Sequence, residues 1–296
     1  MRQRLLFSLI ILPSLLWSTA SFSNSKCNDA VKDSDRTNFS NNPIVAQLNL
    51  RLTDPAYKVI VLGRHGKASQ TNKFTAAERQ EDPAKVELDI ERPLAKKGRK
   101  AANRLANLMS HLSFRDVGMW GSPALRVQST AEPTINVIGD ALKVSHFDRS
   151  LYYADVPKEM QKLLTADEHS HINHAFFWGH GKTTLALFKE LTGVTEGFLP
   201  TAAVMFVVVK ADNWKQVFEG KSEQVEAYAW SPNKSHQIEG GNTPVASLES
   251  LGGLESAVGL ESISVPSLNQ EATNQGFQFT VLKGNYTPSD PLLNSP

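Results

Sequence analysis

Two histidines in this chain follow apolar runs that end in glycine, a setting suited to phosphate chemistry. "VIVLGRHGKAS" places Arg64 and His65 after a buried-strand pattern, and "HAFFWGHGKTT" places His180 after another. A third run, "VGMWGSPALR", leads into a helix whose first turn carries Arg126. The carboxyl ends of parallel strands share one edge of a sheet, so these four side chains should meet. Arginine binds a phosphate dianion through paired hydrogen bonds, and histidine can donate to phosphate or attack it.

The Gly-Lys-Thr at 181–183 raises a different possibility, a nucleotide-binding phosphate loop. That motif requires a glycine five positions before Gly181, and Phe176 stands there within an apolar run. The spacing therefore argues against ATP or GTP binding. Lys182 and Thr183 are better explained as the start of a helix.

Strand-like and helix-like segments alternate from Pro43 to Lys234, the pattern of an α/β protein. The expected fold is a three-layer α/β/α sandwich with a mainly parallel central sheet. Predicted strands cover 57–63, 117–122, 174–180, 201–211 and 225–230; predicted helices cover 94–112, 124–141, 157–166 and 182–192.

The first 23 residues have the organisation of a secretory signal peptide. Two arginines precede an apolar run, and small residues follow, so we expect cleavage after Ala20 or Ser23 and a periplasmic or secreted protein. The alternative is an uncleaved membrane anchor, although the run is short for a bilayer. Residues 24–42 are polar and predict a flexible lead-in to a domain at 43–234.

Residues 235–296 differ in composition from the domain. They are rich in Ser, Gly, Asn and Pro, are acidic, and repeat "LES" every six residues. We expect a low-complexity, disordered tail, with a three-turn solenoid as the alternative. Within it, 276–284 could add an edge strand to the sheet.

Charge and cysteine content limit the partners. The formal net charge is +1, which favours neither nucleic acid nor an anionic membrane, and no stable membrane insertion is expected after signal cleavage. Cys27 is the single cysteine, so the chain can form no internal disulfide and no cysteine-based zinc site.

Four motifs in order, "RHG", "ERPLAKKGRKAA", "SPALRVQSTAE" and "GHGKTT", resemble the histidine phosphatase superfamily, which has the phosphoglycerate mutase-like fold. The resemblance extends from about Lys58 to Trp230. It is strongest to the small phosphohistidine phosphatase branch.

The resemblance implies roles for the four converging residues. His65 matches the nucleophile that becomes phosphorylated, Arg64 and Arg126 match the phosphate clamps, and His180 matches the second histidine. With His180 as imidazolium, these cations would stabilise the transition-state charge and no metal or other cofactor would be required.

The proton donor to the leaving group is harder to place. Asp155 in "LYYAD" is a candidate, with a helix cap before Pro157 as the competing interpretation; Asp148 and Glu87 are further candidates. Lys67, just past the nucleophile, is either a phosphate contact or an ordinary surface lysine.

Other polar and aromatic residues have simpler explanations. "HSHINH" is expected to be a solvated loop rather than a metal site. The basic run at 96–100 is read as a solvated helix face that could guide an anionic substrate. Trp120 and Trp178 are expected in the core, and Ser122 lacks the context of a serine nucleophile.

These observations predict an exported, metal-independent phosphatase that works through phospho-His65 on phosphomonoesters or phosphoramidates. A phosphorylated sugar or an envelope glycolipid is the expected substrate on grounds of location. A phosphomutase of the same superfamily and a non-catalytic phosphate-ligand binder are the alternatives.

Overall fold

The computed structural model describes residues 39–153, 155–193, 199–220, 225–232 and 279–284. Their strands form one seven-stranded sheet in the order β3-β2-β4-β1-β5-β6-β7. Neighbours from β3 to β1 pair in parallel, whereas β5, β6 and β7 add antiparallel pairs, so β5 and β7 alone run against the other five. The strands are β1 Tyr57–Arg64, β2 Val117–Gly121, β3 Leu142–Phe147, β4 His174–Gly179, β5 Val204–Lys210, β6 Val225–Trp230 and β7 Phe279–Gly284.

Helices connect these strands and cover both faces of the sheet. Their bounds are α1 Pro43–Thr53, α2 Ala76–Glu81, α3 Pro83–Ile90, α4 Lys96–Met109, α5 Leu125–Ile138, α6 Ser150–Tyr153, α7 Val156–Leu164, α8 Gly181–Thr192 and α9 Trp214–Phe218.

Alternation along β1 explains the three layers. Val59 and Val61 join the core formed with α1, α4 and α5, whereas Ile60 and Leu62 join the core formed with α7, α8 and α9. Successive side chains of a strand point to opposite faces, so an all-apolar strand requires a helical layer on each side. The predicted α/β sandwich is confirmed. Trp120 and Trp178 lie in its core, as expected.

The fold begins before the predicted boundary at Pro43. The Phe39 side chain is 2% exposed and packs edge-on against Trp230, and the Asn42 side chain accepts hydrogen bonds from the first turn of α1. These contacts make 39–42 part of the domain rather than of a flexible lead-in. The predicted signal peptide and Cys27 lie outside the described residues.

Two edge strands complete the sheet. The sequence prediction missed β3, whose side chains are half-buried or exposed, because an edge strand carries fewer apolar residues. At the other edge, β7 pairs with β6 from Val225↔Gly284 to Trp230↔Phe279, so an edge strand does form within 276–284. The remainder of the predicted tail, 235–278 and 285–296, lies outside the described residues. In the part of the chain that is described, no helix has the length and apolar character to cross a membrane.

Candidate active site

The carboxyl ends of β1, β4 and β2, which are adjacent in the sheet, bring the predicted residues together. The His65 backbone N–H donates to the Gly179 carbonyl at 3.1 Å, which joins the turn after β1 to the end of β4. The Ser122 N–H donates to the Trp178 carbonyl at 3.0 Å, which joins the turn after β2 to the same strand. The ring centroids of His65 and His180 are 5.2 Å apart.

The tautomer of His65 follows from one hydrogen bond. Its Nδ1 lies 2.7 Å from the Gly66 carbonyl oxygen, which can only accept, so Nδ1 carries the proton. Nε2 of the neutral ring therefore bears a lone pair. This is the form of histidine that can attack phosphorus.

Close backbone packing fixes the loop that carries His65. A Cβ on Gly66 would lie 2.9 Å from the Gly98 carbonyl oxygen, and a Cβ on Gly98 would lie 2.2 Å from the Lys67 carbonyl oxygen. The first turn of α4 can approach the loop this closely because neither glycine has a side chain. The Ala95 N–H also donates to the Lys67 carbonyl at 2.9 Å.

Thr130 connects the His65 loop to the helix that carries Arg126. The Gly66 N–H donates to Thr130 Oγ1 at 2.9 Å, and that hydroxyl donates to the Arg126 carbonyl at 2.7 Å. Arg126 lies in the first turn of α5, as predicted, where it is the second residue and is 3% exposed. The position of the second clamp is thereby tied to the nucleophile loop.

Arg64 leaves the end of β1 toward the turn that carries His180. Its Nη1 donates to the Leu199 carbonyl at 2.6 Å. A Cβ on Gly181 would lie 3.3 Å from the guanidinium carbon of Arg64, so that guanidinium lies against the start of α8. The glycine after His180 leaves room for it.

His180 is held by the elements around it. Its Nε2 lies 3.0 Å from Ser122 Oγ, which also accepts a hydrogen bond from the Ala124 N–H at 3.3 Å. The Tyr152 ring packs edge-on against the His180 ring, with the centroids 5.0 Å apart. Ser122 is therefore a partner of the second histidine, which its sequence context did not indicate.

Burial and positive neighbours keep both histidines neutral. Burial and the guanidiniums of Arg126, Arg64 and Arg92 lower the pKa of His65 to about 3, against the opposing effect of the bond to Gly66. Burial, His65 and the same guanidiniums hold the pKa of His180 well below 6.5. Beside these cations alone His180 is therefore neutral, and not the imidazolium that the sequence analysis expected. A phosphate dianion would act in the opposite direction and favour the protonated ring.

A buried carboxylate that binds the second clamp, Arg126, was missed by the sequence analysis. Asp89, at the end of α3, is 1% exposed, and its Oδ2 accepts from Arg126 Nη2 at 2.8 Å and from the Tyr152 hydroxyl at 2.6 Å. Arg92 Nη2 lies 3.2 Å from Asp89 Oδ1. The i, i+3 spacing of Asp89 and Arg92 in "DIERPL" was the available signal, but on an exposed helix it is an ordinary ion pair.

The predicted leaving-group acids lie in other surroundings. Asp155 is exposed at the start of α7 with its carboxylate 3.2 Å from Lys158 Nζ, and Glu87 is paired with Arg149. Asp148 Oδ1 accepts from the Ser150 N–H at 2.8 Å, and that bond is the main cause that lowers the Asp148 pKa. These contacts give each carboxylate a structural partner outside the pair of histidines. The Lys67 side chain is exposed.

The "HSHINH" histidines divide among three settings. His169 packs edge-on against Trp120, His171 is exposed, and His174 begins β4 with its side chain fully buried. The solvated-loop prediction was therefore wrong for His174. Among the described residues, no group of three or more His, Cys, Asp or Glu side chains could hold a metal ion.

The basic residues predicted on α4, Lys96, Lys97, Arg99 and Lys100, are exposed.

Comparison with protein families gives the class. Residues 60–151, just under a third of the chain, match the model of the histidine phosphatase superfamily (branch 1). The matched segment contains Arg64, His65 and Arg126, and His180 follows it. This match identifies residues 60–151 as a histidine phosphatase superfamily segment, as the motifs predicted.

Individual proteins are more distant. A protein given as the phosphohistidine phosphatase SixA from Nakamurella multipartitia is 20% identical, with a TM-score of 0.41 over 55% of this chain and 90% of its own. The protein histidine phosphatase SixA complexed with tungstate is also 20% identical, with a TM-score of 0.39 over 52% and 89%. A mycobacterial glucosyl-3-phosphoglycerate phosphatase is 13% identical, with a TM-score of 0.39 over 54% and 95%. A search of curated proteins gives no match.

Proposed function

We propose that this protein is a metal-independent phosphatase that transfers the phosphoryl group of its substrate to His65 and then to water. One observation carries the proposal. His65 Nε2 bears a lone pair, because Nδ1 donates to the Gly66 carbonyl, and its ring lies 5.2 Å from that of His180 among arginine side chains.

The reaction has two steps, transfer of the phosphoryl group to His65 and its hydrolysis. His65 Nε2 attacks phosphorus, the bond from phosphorus to the leaving atom breaks, and the leaving atom keeps the electron pair and takes a proton. Water then attacks phosphorus, the N–P electron pair returns to Nε2, and a water proton passes to solvent as orthophosphate is released. Arg64, Arg126 and His180 would stabilise the charge on the phosphoryl oxygens in both steps.

The substrate and location are part of the same proposal. Residues 1–23 have the pattern of a secretory signal, which supports a periplasmic or secreted enzyme. A phosphorylated sugar or an envelope glycolipid fits that location. The resemblance to the small phosphohistidine phosphatase branch adds phosphoramidates, and a panel of all three substrate classes would rank them.

The mechanism is tested by phosphate release from a chromogenic phosphomonoester in the presence of EDTA. We expect His65→Ala to abolish turnover and to remove an acid-labile, alkali-stable phosphoryl label on the protein. His171→Ala, which changes an exposed histidine away from the site, is the matched control and should behave as wild type. Full loss of activity on chelation, or unchanged turnover in His65→Ala, would contradict the mechanism; an isomeric phosphoester in place of orthophosphate would indicate a mutase.

A further inference from the structure

Asp89 contacts four polar side chains on one side of the site. Besides Arg126 and the Tyr152 hydroxyl on Oδ2, its Oδ1 faces Arg92 Nη2 at 3.2 Å and Arg79 Nη1 at 3.9 Å. Burial raises the pKa of Asp89, but the Tyr152 hydroxyl and the guanidiniums of Arg126 and Arg92 outweigh it, and the net shift is downward. Asp89 is therefore a fixed negative charge among cations that would otherwise repel one another.

The contacts of Arg126 show which edge of its guanidinium Asp89 occupies. Nη1 donates to the Asp89 backbone carbonyl and Nη2 donates to the Asp89 carboxylate, so both terminal nitrogens bind one residue. A guanidinium has five N–H donors in a rigid plane, so a partner at the Nη1–Nη2 end leaves the edge formed by Nε and the second hydrogen of Nη2. That edge matches two oxygens of a phosphate.

The Nε atoms of both arginines support this geometry. Among the described residues, Arg126 Nε and Arg92 Nε are buried and meet no hydrogen-bond acceptor. Buried N–H groups are nearly always satisfied, so such a donor at a catalytic site is available for a ligand. The terminal nitrogens of Arg92 also have partners, since Nη2 faces Asp89 and Nη1 donates to the Ser69 carbonyl at 3.4 Å.

We propose that Asp89 is a positioning residue that holds Arg126, and with it Arg92, so that the Nε edge of each guanidinium faces the phosphoryl group. Asp89 acts through these arginines and does not touch the substrate. The inference rests on the proposed function, because it assigns the phosphoryl group to the site beside His65. It also links the second clamp to His180, since the tyrosine that donates to Asp89 packs against the His180 ring.

The test compares Asp89→Asn with Glu91→Gln, which removes the same charge from an exposed position two residues away. Orthophosphate affinity is measured by calorimetry, and kcat and KM are measured with an aryl phosphate. We expect Asp89→Asn to weaken orthophosphate binding about tenfold or more, because a displaced clamp loses its alignment. Glu91→Gln should bind orthophosphate as wild type does.

A double-mutant cycle separates positioning from a general loss of structure. In an Arg126→Ala background, adding Asp89→Asn should weaken orthophosphate binding less than it does in the wild type, because one of the two arginines through which it acts is absent. Additive losses would overturn the proposal, as would an Asp89→Asn variant that binds orthophosphate as tightly as wild type or tighter. Tighter binding would mean that Asp89 competes with phosphate for Arg126.

One measurement uses the wild-type protein and covers the case in which Asp89→Asn fails to fold. The arginine Nε–H signals are followed by NMR during an orthophosphate titration, with Arg126→Lys assigning one of them. A shift of the Arg126 Nε–H signal supports the proposal, and an unmoved signal at saturation overturns it. Orthophosphate binding without turnover of any phosphate ester would refute the phosphatase function while leaving the role of Asp89 open to these same measurements.

Discussion

The protonation state of His65 gives a quantitative test of the electrostatics in the site. Burial and the guanidiniums of Arg126, Arg64 and Arg92 lower its pKa to about 3. An ordinary histidine with a pKa near 6.5 would be about 3% neutral at pH 5, whereas a pKa of about 3 leaves about 99% in the neutral form. The attacking species therefore differs in abundance by about thirtyfold between the two cases.

The assay is kcat/KM for an aryl phosphate between pH 8 and pH 5, because this parameter reports the ionisation of the free enzyme. The substrate itself gains a proton with a pKa near 6, and its titration must be measured separately and divided out. After that correction we expect less than a twofold loss between pH 8 and pH 5 from ionisation of His65. An NMR titration of the ring, assigned with His65→Asn, follows the same group directly.

The sign of the shift decides the outcome. A lowered pKa keeps the ring neutral from high pH down to about pH 3, so protonation removes the nucleophile only below that value. Even a pKa of 4 would leave about 90% of the ring neutral at pH 5. A corrected acid limb near pH 6.5, together with a His65 signal that titrates there, would refute the account of burial and guanidinium charge around the nucleophile.

Three further predictions concern stability and the support of the site. Burial lowers the pKa of fully buried His174 to about 3, so folding favours its neutral form. The resulting stability is present above pH 6.5 and declines as pH falls toward 3, by about 2 kcal/mol between pH 7 and pH 5 in urea unfolding; a His174→Asn variant with the same pH slope as wild type would contradict this. Thr130→Val leaves a buried N–H of the nucleophile loop without its acceptor and should cost about 1–3 kcal/mol in unfolding free energy and lower kcat. Thr134→Val, one turn further along α5, is the control, since the Thr134 hydroxyl is buried without a hydrogen-bond partner among the described residues and its removal should not destabilise. Gly98→Ala places a Cβ 2.2 Å from the Lys67 carbonyl oxygen and should cost about 1–3 kcal/mol, read as a lower Tm, and reduce turnover through the displaced loop.

The four residues expected to converge could be placed from the sequence because of a topological rule. Arg64, His65 and His180 follow strands directly, and Arg126 lies in the first turn of the helix after β2. Once those strands are recognised as parallel, their carboxyl ends must share an edge. The sheet order β2-β4-β1 then makes the three turns neighbours.

The support around those residues could not be read in the same way. Asp89 lies on a short helix between two motifs. The apolar periodicity of that helix does not predict that Asp89 is buried. Its burial depends on Arg126, 37 positions away, and on Tyr152, 63 positions away. Such partners become neighbours only when the chain is folded, so pairs of this kind are evident from the structure alone.

The site's electrostatics also bear on how the leaving group obtains its proton. The pKa of Asp89 is lowered, that of Tyr152 is raised to about 12 by burial and by Asp89, and both histidines are neutral beside the guanidiniums. None of these groups is therefore an acid poised near neutral pH, which is what general acid catalysis requires. A bound dianion would raise the pKa of His180, so the substrate itself would help to bring a proton to the site. We expect the largest kcat with leaving groups that need little protonation, such as aryl oxides, and a steep fall in kcat for alkyl phosphates; equal rates across such a series would mean that an acid outside this group of side chains completes the site.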